Sequence, residues 1–103
     1  MYRVVLVEDS KLLRTGMKFT FNWDALDCEI IGDAENGQEG LELIRKTQPD
    51  IVITDIRMPG IDGLEMIGLL NAEGNSAVFI IISHTATLVT PSRQFATELP
   101  IIL

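Results

Sequence analysis

Asp50-Ile51-Val52-Ile53-Thr54-Asp55-Ile56-Arg57-Met58-Pro59-Gly60-Ile61-Asp62-Gly63 is the stretch that decides the fold. Its first half is a near-continuous apolar run, as in a strand buried on both faces. The run closes on a carboxylate, Asp55. Met58-Pro59-Gly60 follows, which no regular element tolerates, so the chain turns there. Asp62 is suited to cap a helix starting at Gly63 and Leu64. A carboxylate therefore stands at the carboxyl end of a buried strand, the edge where open α/β sheets place ligands and chemistry. The simpler alternative, on this stretch alone, is an Asp that closes a strand and opens a turn.

Working outward, Tyr2 to Val7 is short, β-branched and apolar and reads as another buried strand, ending in Glu8-Asp9-Ser10. Ser10 caps a helix from Lys11 to about Phe21, with Leu12, Leu13, Met17 and Phe21 on its inner face. Taken alone, Glu8 and Asp9 need be no more than favourable charge at that helix N-terminus. Trp23 reads as a packing anchor for the connection that follows. Cys28 to Ala34 is a second strand, Glu35-Asn36-Gly37 a turn, and Gln38 to Thr47 a second helix. Ile51 to Thr54 is the third strand. Leu64 to about Asn71 forms a third helix with Leu64, Ile67 and Leu70 inward, and Val78 to Ile82 a fourth strand ending in Ser83. Strands alternating with helices predict an α/β fold with a doubly wound parallel sheet, since parallel strands need crossover connections.

A chain of 103 residues is one domain at most. With 47% hydrophobic and 22% charged residues it is globular rather than disordered. The net charge of -7 argues against a nucleic-acid or anionic-membrane surface and suits a cation or a basic partner. A single cysteine, Cys28, excludes an internal disulfide. No signal peptide and no membrane span is expected, so the expected location is cytoplasmic.

Because all the strands run the same way, Glu8, Asp9, Asp55 and Ser83 fall on one edge of the sheet. In an order 2-1-3-4-5 the first and third strands are neighbours at the switch point, and three carboxylates converge. Unrelieved, such a cluster repels itself. A hard divalent cation with oxygen ligands removes the problem, and Mg2+ suits carboxylates, a backbone carbonyl and water.

Glu8-Asp9, Asp55, Met58-Pro59-Gly60, Asp62-Gly63 and Ser83 together resemble the receiver domain of bacterial two-component response regulators, over Met1 to Ser83. Asn22-Trp23, Ala34-Glu35-Asn36-Gly37 and Thr54 to Gly60 are most similar to receivers joined to AraC-type DNA-binding domains. No such output domain is expected here. The resemblance implies a flavodoxin-like receiver fold, with the sheet ordered 2-1-3-4 and its fifth strand missing or replaced. It implies that Asp55 accepts a phosphoryl group from a sensor histidine kinase or a small acyl phosphate. Asp9, Asp55 and the backbone carbonyl of Arg57 would bind Mg2+, Glu8 would act through water, and the Ser83 hydroxyl would hydrogen-bond the phosphoryl group. No turnover of a separate substrate is expected.

Residues 1–83 thus read as a receiver core and 84–103 as an atypical tail. The family places a fourth helix, a fifth strand ending in Lys, and a fifth helix after Ser83; residues 84–103 contain no Lys, Tyr or Trp. A shift of reading frame explains this. His84 to Leu103 can be back-translated with allowed codons and read from the last base of the His84 codon. The product is Tyr-Ser-Asp-Phe-Ser-Tyr-Ala-Lys-Gln-Ala-Ile-Arg-Tyr-Gly-Ile-Thr-Asp-Tyr-Leu, which is similar to the fourth helix and fifth strand of this subfamily. Only the first base of each shifted codon is freely adjustable; the residues present largely dictate the others. Without those elements the fourth strand presents an open apolar edge. A substitute edge strand over 98–103 is one outcome, with Pro100 suited to an edge. The favoured outcome is a homodimer through the exposed sheet edge.

Two other functions fit parts of the pattern. One is a receiver-like binding or dimerisation module that is not phosphorylated. The other is an aspartate-nucleophile phosphohydrolase, which needs a second Asp two residues after Asp55, where Arg57 stands. No Gly-rich phosphate loop with Lys occurs.

Overall fold

The computed structural model describes residues 1–82 and the backbone of a two-residue strand at 101–102. In chain order the elements are β1 (Tyr2–Val7), α1 (Lys11–Thr20), β2 (Cys28–Ala34), α2 (Gly37–Thr47), β3 (Ile51–Asp55), α3 (Gly63–Ala72), β4 (Val78–Ile82) and β5 (Ile101–Ile102). The strands pair in the order β2-β1-β3-β4-β5 and every pair is parallel. The expected parallel, doubly wound sheet ordered 2-1-3-4 is therefore present. β5 joins only the end of β4, with Ile81 opposite Ile101 and Ile82 opposite Ile102. Ser83 and the rest of the strand expected over 98–103 lie outside the described residues.

Alternation along β1 explains the two cores. Val5 and Val7 face one side, where with Val52 they meet Leu41 and Ile44 of α2 and Met66 and Leu70 of α3. Val4 and Leu6 face the other, with Cys28 and Ile53, against Met17 and Trp23. Burying each such side chain contributes roughly 1.5–3 kcal/mol, which offsets the chain entropy of ordering the sheet. Trp23 anchors the α1–β2 connection: its Nε1 donates to the Met17 carbonyl at 3.1 Å, and its ring meets Phe21 edge-on at 5.5 Å.

Two helices turn differently from expectation. On α1, Leu12 is 82% exposed and no residue of the helix is buried. Leu12 lies five positions from Met17, about 140° around the helix, so only one of them can meet the sheet. On α3 the inner face is Gly63, Met66 and Leu70, while Leu64 is exposed. A capping box fixes where α3 starts. Glu65 N donates to Asp62 Oδ1 at 2.8 Å, and Asp62 N donates to Glu65 Oε1 at 3.1 Å.

Helix α2 is capped by Asn36, whose Oδ1 accepts from Glu39 N at 2.8 Å. It ends on Gln48 in the left-handed region, whose N–H reaches the Ile44 carbonyl at 2.9 Å. Asp50 then ties β3 to β1: its carboxylate accepts from Arg3 N at 2.8 Å, and its own N–H donates to the Arg3 carbonyl at 2.9 Å.

Candidate functional site

The site is built by register. Val7 lies opposite Thr54 in the β1–β3 pair, so the next residues along, Glu8 and Asp55, emerge side by side. Chain connections leave β1 toward β2 and β3 toward β4, so a crevice opens between them at this edge. Glu8, Asp9 and Asp55 each bring a carboxylate oxygen into a group whose members all lie within 4.8 Å of one another. Glu8 and Asp55 are buried and Asp9 is exposed. The cluster is thus anchored from below and open to solvent on one side.

Each anchor is held by its neighbours. Glu8 N extends the ladder to the Ala34 carbonyl at 3.0 Å, and its Oε2 accepts from Ser10 N at 2.9 Å. The Glu8 carbonyl accepts from Arg14 Nη1 at 2.7 Å. Asp55 Oδ1 accepts from Ile56 N at 2.7 Å, and the Asp55 carbonyl accepts from Thr54 Oγ1 at 2.9 Å. Ser10 spends its own side chain on capping α1, accepting from Leu13 N at 3.2 Å. Asp62 is likewise committed to its helix cap, so it is not a member of the acidic group.

The structure therefore brings together Glu8, Asp9 and Asp55 of the residues singled out from sequence. Arg57 is exposed in the β3–α3 loop, next to the buried Met58 that pins this loop to the larger core. Ser83 lies outside the described residues. Arg14 escaped the sequence reading. It bridges the Glu8 carbonyl to Asp33, its Nε lying 3.5 Å from Asp33 Oδ1, and Lys18 pairs with the other Asp33 oxygen. Its signal was the four-residue spacing of Arg14 and Lys18 on α1, which puts both on one helical face; the partner on β2 was not local.

The donor set is all oxygen and anionic, which selects a hard divalent cation over a soft one. Among the described residues this is the one cluster of three or more metal-capable side chains. The known sequences agree with the geometry: the model of the response regulator receiver domain matches residues 4–99. The chain belongs to the response regulator receiver domain family.

A transcriptional regulatory protein of Bacillus subtilis, YesN, is 43% identical to this receiver over 83 residues, which is 81% of the chain and 23% of that protein. The nitrate/nitrite response regulator NarL of Escherichia coli is 34% identical over 96 residues, covering 90% of the chain and 44% of NarL. Among solved structures, a two-component transcriptional regulator AraC from Clostridium phytofermentans superposes with a TM-score of 0.77 at 26% identity. That match covers 99% of this chain and 78% of the other. The receiver thus spans less than half the length of these two curated relatives. The family is that of two-component signalling receivers. No helix among the described residues is long and apolar enough to cross a membrane.

Proposed function

We propose that this receiver accepts a phosphoryl group on Asp55 with Mg2+ held by the acidic cluster. The observation that carries the reading is the convergence of Glu8, Asp9 and Asp55 within 4.8 Å at the switch-point edge. A carboxylate oxygen of Asp55 attacks phosphorus in line. The bond from phosphorus to the histidine nitrogen of a sensor kinase, or to the acyl oxygen of a small acyl phosphate, breaks, and its electron pair leaves with that group. Mg2+, when bound, neutralises charge on the transferring phosphoryl oxygens. Asp9, Asp55 and the Arg57 carbonyl would hold it, with Glu8 acting through a water. Positioning and electrostatics then supply most of the catalysis. No separate substrate is turned over.

The tail from 84 to 103 has no Lys to meet the phosphoryl oxygens, so transfer should be slow and the switch impaired. With Ser83, the hydroxyl that would report the phosphoryl group sits where the receiver core meets this tail. This receiver would act in the cytoplasm, without itself touching nucleic acid or membrane. A sensor histidine kinase is the partner. β5 covers only Ile81 and Ile82, so the outer edge of β4 from Val78 to Ile80 has no strand neighbour among the described residues. That edge supports a homodimer, and concentration-dependent light scattering tests it: monomer at every concentration would rule it out.

Intact mass after incubation with acetyl phosphate and Mg2+, beside Asp55→Asn, tests the main reading. One added phosphoryl group on the native chain alone is the expected result. No gain on folded protein would leave a receiver fold that does not perform phosphotransfer.

A further inference from the structure

The Ala34-Glu35-Asn36-Gly37 motif has a cap in Asn36 but, in the function proposed above, no role for Gly37. Gly37 is the first residue of α2 and is buried. A Cβ at this position would stand on the carbonyl oxygen of Ile61, inside any real contact, and 2.9 Å from the Ile61 carbonyl carbon. The obstacle is backbone, so no change of rotamer relieves it. Ile61 closes the loop that starts at Ile56 and carries Arg57.

The same loop is shut at its root by a second close approach. Gly63 N donates to the Ile56 carbonyl at 2.7 Å, and a Cβ on Gly63 would strike the Asp55 carbonyl oxygen. Between these ends, Met58 and Ile61 pack into the larger core. The loop is therefore clamped from three sides: by its own helix at Gly63, by the core at Met58, and by α2 at Gly37. Gly63 and Met58 follow from the chain around Asp55. Gly37 belongs to a different βα unit and meets the loop backbone directly.

We propose that Gly37 is a positioning residue for the cation site: its missing side chain lets the N-terminus of α2 bear on the Ile61 carbonyl and hold the Arg57 backbone against the acidic cluster. The proposal rests on the cation reading of Glu8, Asp9 and Asp55. A methyl group at 37 must push either α2 or the loop away. Groups that orient metal ligands without touching the ion typically change affinity by about 10- to 100-fold when altered.

The test is Mg2+ titration followed by backbone amide NMR, on the full chain, for the native protein, Gly37→Ala and Ile44→Val. Ile44 is a fully buried core residue of the same helix, about two turns beyond Gly37, so trimming it loosens α2 without adding an atom at the Gly37–Ile61 contact. The expected result is about a 10-fold higher Mg2+ midpoint for Gly37→Ala, with Ile44→Val titrating like the native chain. A folded Gly37→Ala with the native midpoint overturns the proposal, as does an equal shift in Ile44→Val. Should Gly37→Ala not fold, the native titration decides. Gly37 and Ile61 amides moving with the same midpoint as Asp55 support the clamp, and unmoved amides overturn it. A native chain whose Asp9 and Asp55 amides ignore Mg2+ would overturn the cation reading itself, a result distinct from any difference between variants.

Discussion

Asp55→Asn should make the metal-free protein more stable, not less. Three carboxylates within 4.8 Å of one another repel, and folding brings them together. At 4.8 Å, the outer limit of the group, a pair of unit charges costs about 0.9 kcal/mol at the dielectric constant of water and about 3.5 kcal/mol at an effective value near 20. Asp9 is exposed, so its repulsion with Asp55 belongs near the lower figure. Glu8 is 3% exposed, so its repulsion with Asp55 belongs nearer the upper one. Asn keeps an Oδ1 that accepts from Ile56 N, so the local hydrogen bond survives. The net expectation is a gain of about 1 to 3 kcal/mol. Urea unfolding in a chelator reads it as an upward shift of the midpoint by about 1 M, given a slope of about 2 kcal/mol per molar. Adding Mg2+ should stabilise the native chain more than the variant, since a ligand that binds only the folded state adds RT ln(1 + [L]/Kd) and Asp55 is one of its holders. A variant less stable than the native chain in chelator would refute the electrostatic argument, because the carboxylates would then not be a liability that a cation relieves.

Met66→Ala should cost about 2–5 kcal/mol, because Met66 is fully buried between α3 and the sheet and its loss leaves a cavity; thermal or urea unfolding measures it. Arg45 and Glu73 join the ends of α2 and α3, and the hydrogen bond from Arg45, with its charge, holds the Glu73 carboxyl below its ordinary value of 4.5. A depressed carboxyl contributes its stability above the unfolded value and loses it as pH falls through the folded one. The native advantage over Glu73→Gln should therefore be small at neutral pH and vanish in acid, and an advantage that grew in acid would contradict the pairing. For the tail, sequencing the encoding DNA after the Ser83 codon should show a second frame specifying Tyr-Ser-Asp-Phe-Ser-Tyr-Ala-Lys; any other second frame removes the frame-shift account.

How far the sequence could be read depended on the range of the physics at each position. The β-branched runs at Tyr2–Val7, Cys28–Ala34 and Val78–Ile82 carry their own signal, and these strands form over those residues. The caps at Ser10 and Asp62 were equally local, each accepting from a backbone N–H three residues on; Asn36, expected only as part of a turn, caps α2 in the same way. Helix rotation was not local. Leu12 and Leu64 are as apolar as Met66 and Leu70, and only the sheet beneath decides which of them meets it.

The sequence by itself determined the alternation of strands and helices. It also determined that carboxylates end the first and third strands, since apolar periodicity and turn chemistry act within a few residues. Tertiary structure alone decided the register, Val7 opposite Thr54, that turns the convergence expected of Glu8, Asp9 and Asp55 into a group within 4.8 Å. It alone joined Arg14 and Lys18 to Asp33, and brought Gly37 against the Ile61 carbonyl. Those contacts link residues far apart in the chain, and they come into being only when strand register and helix packing are complete.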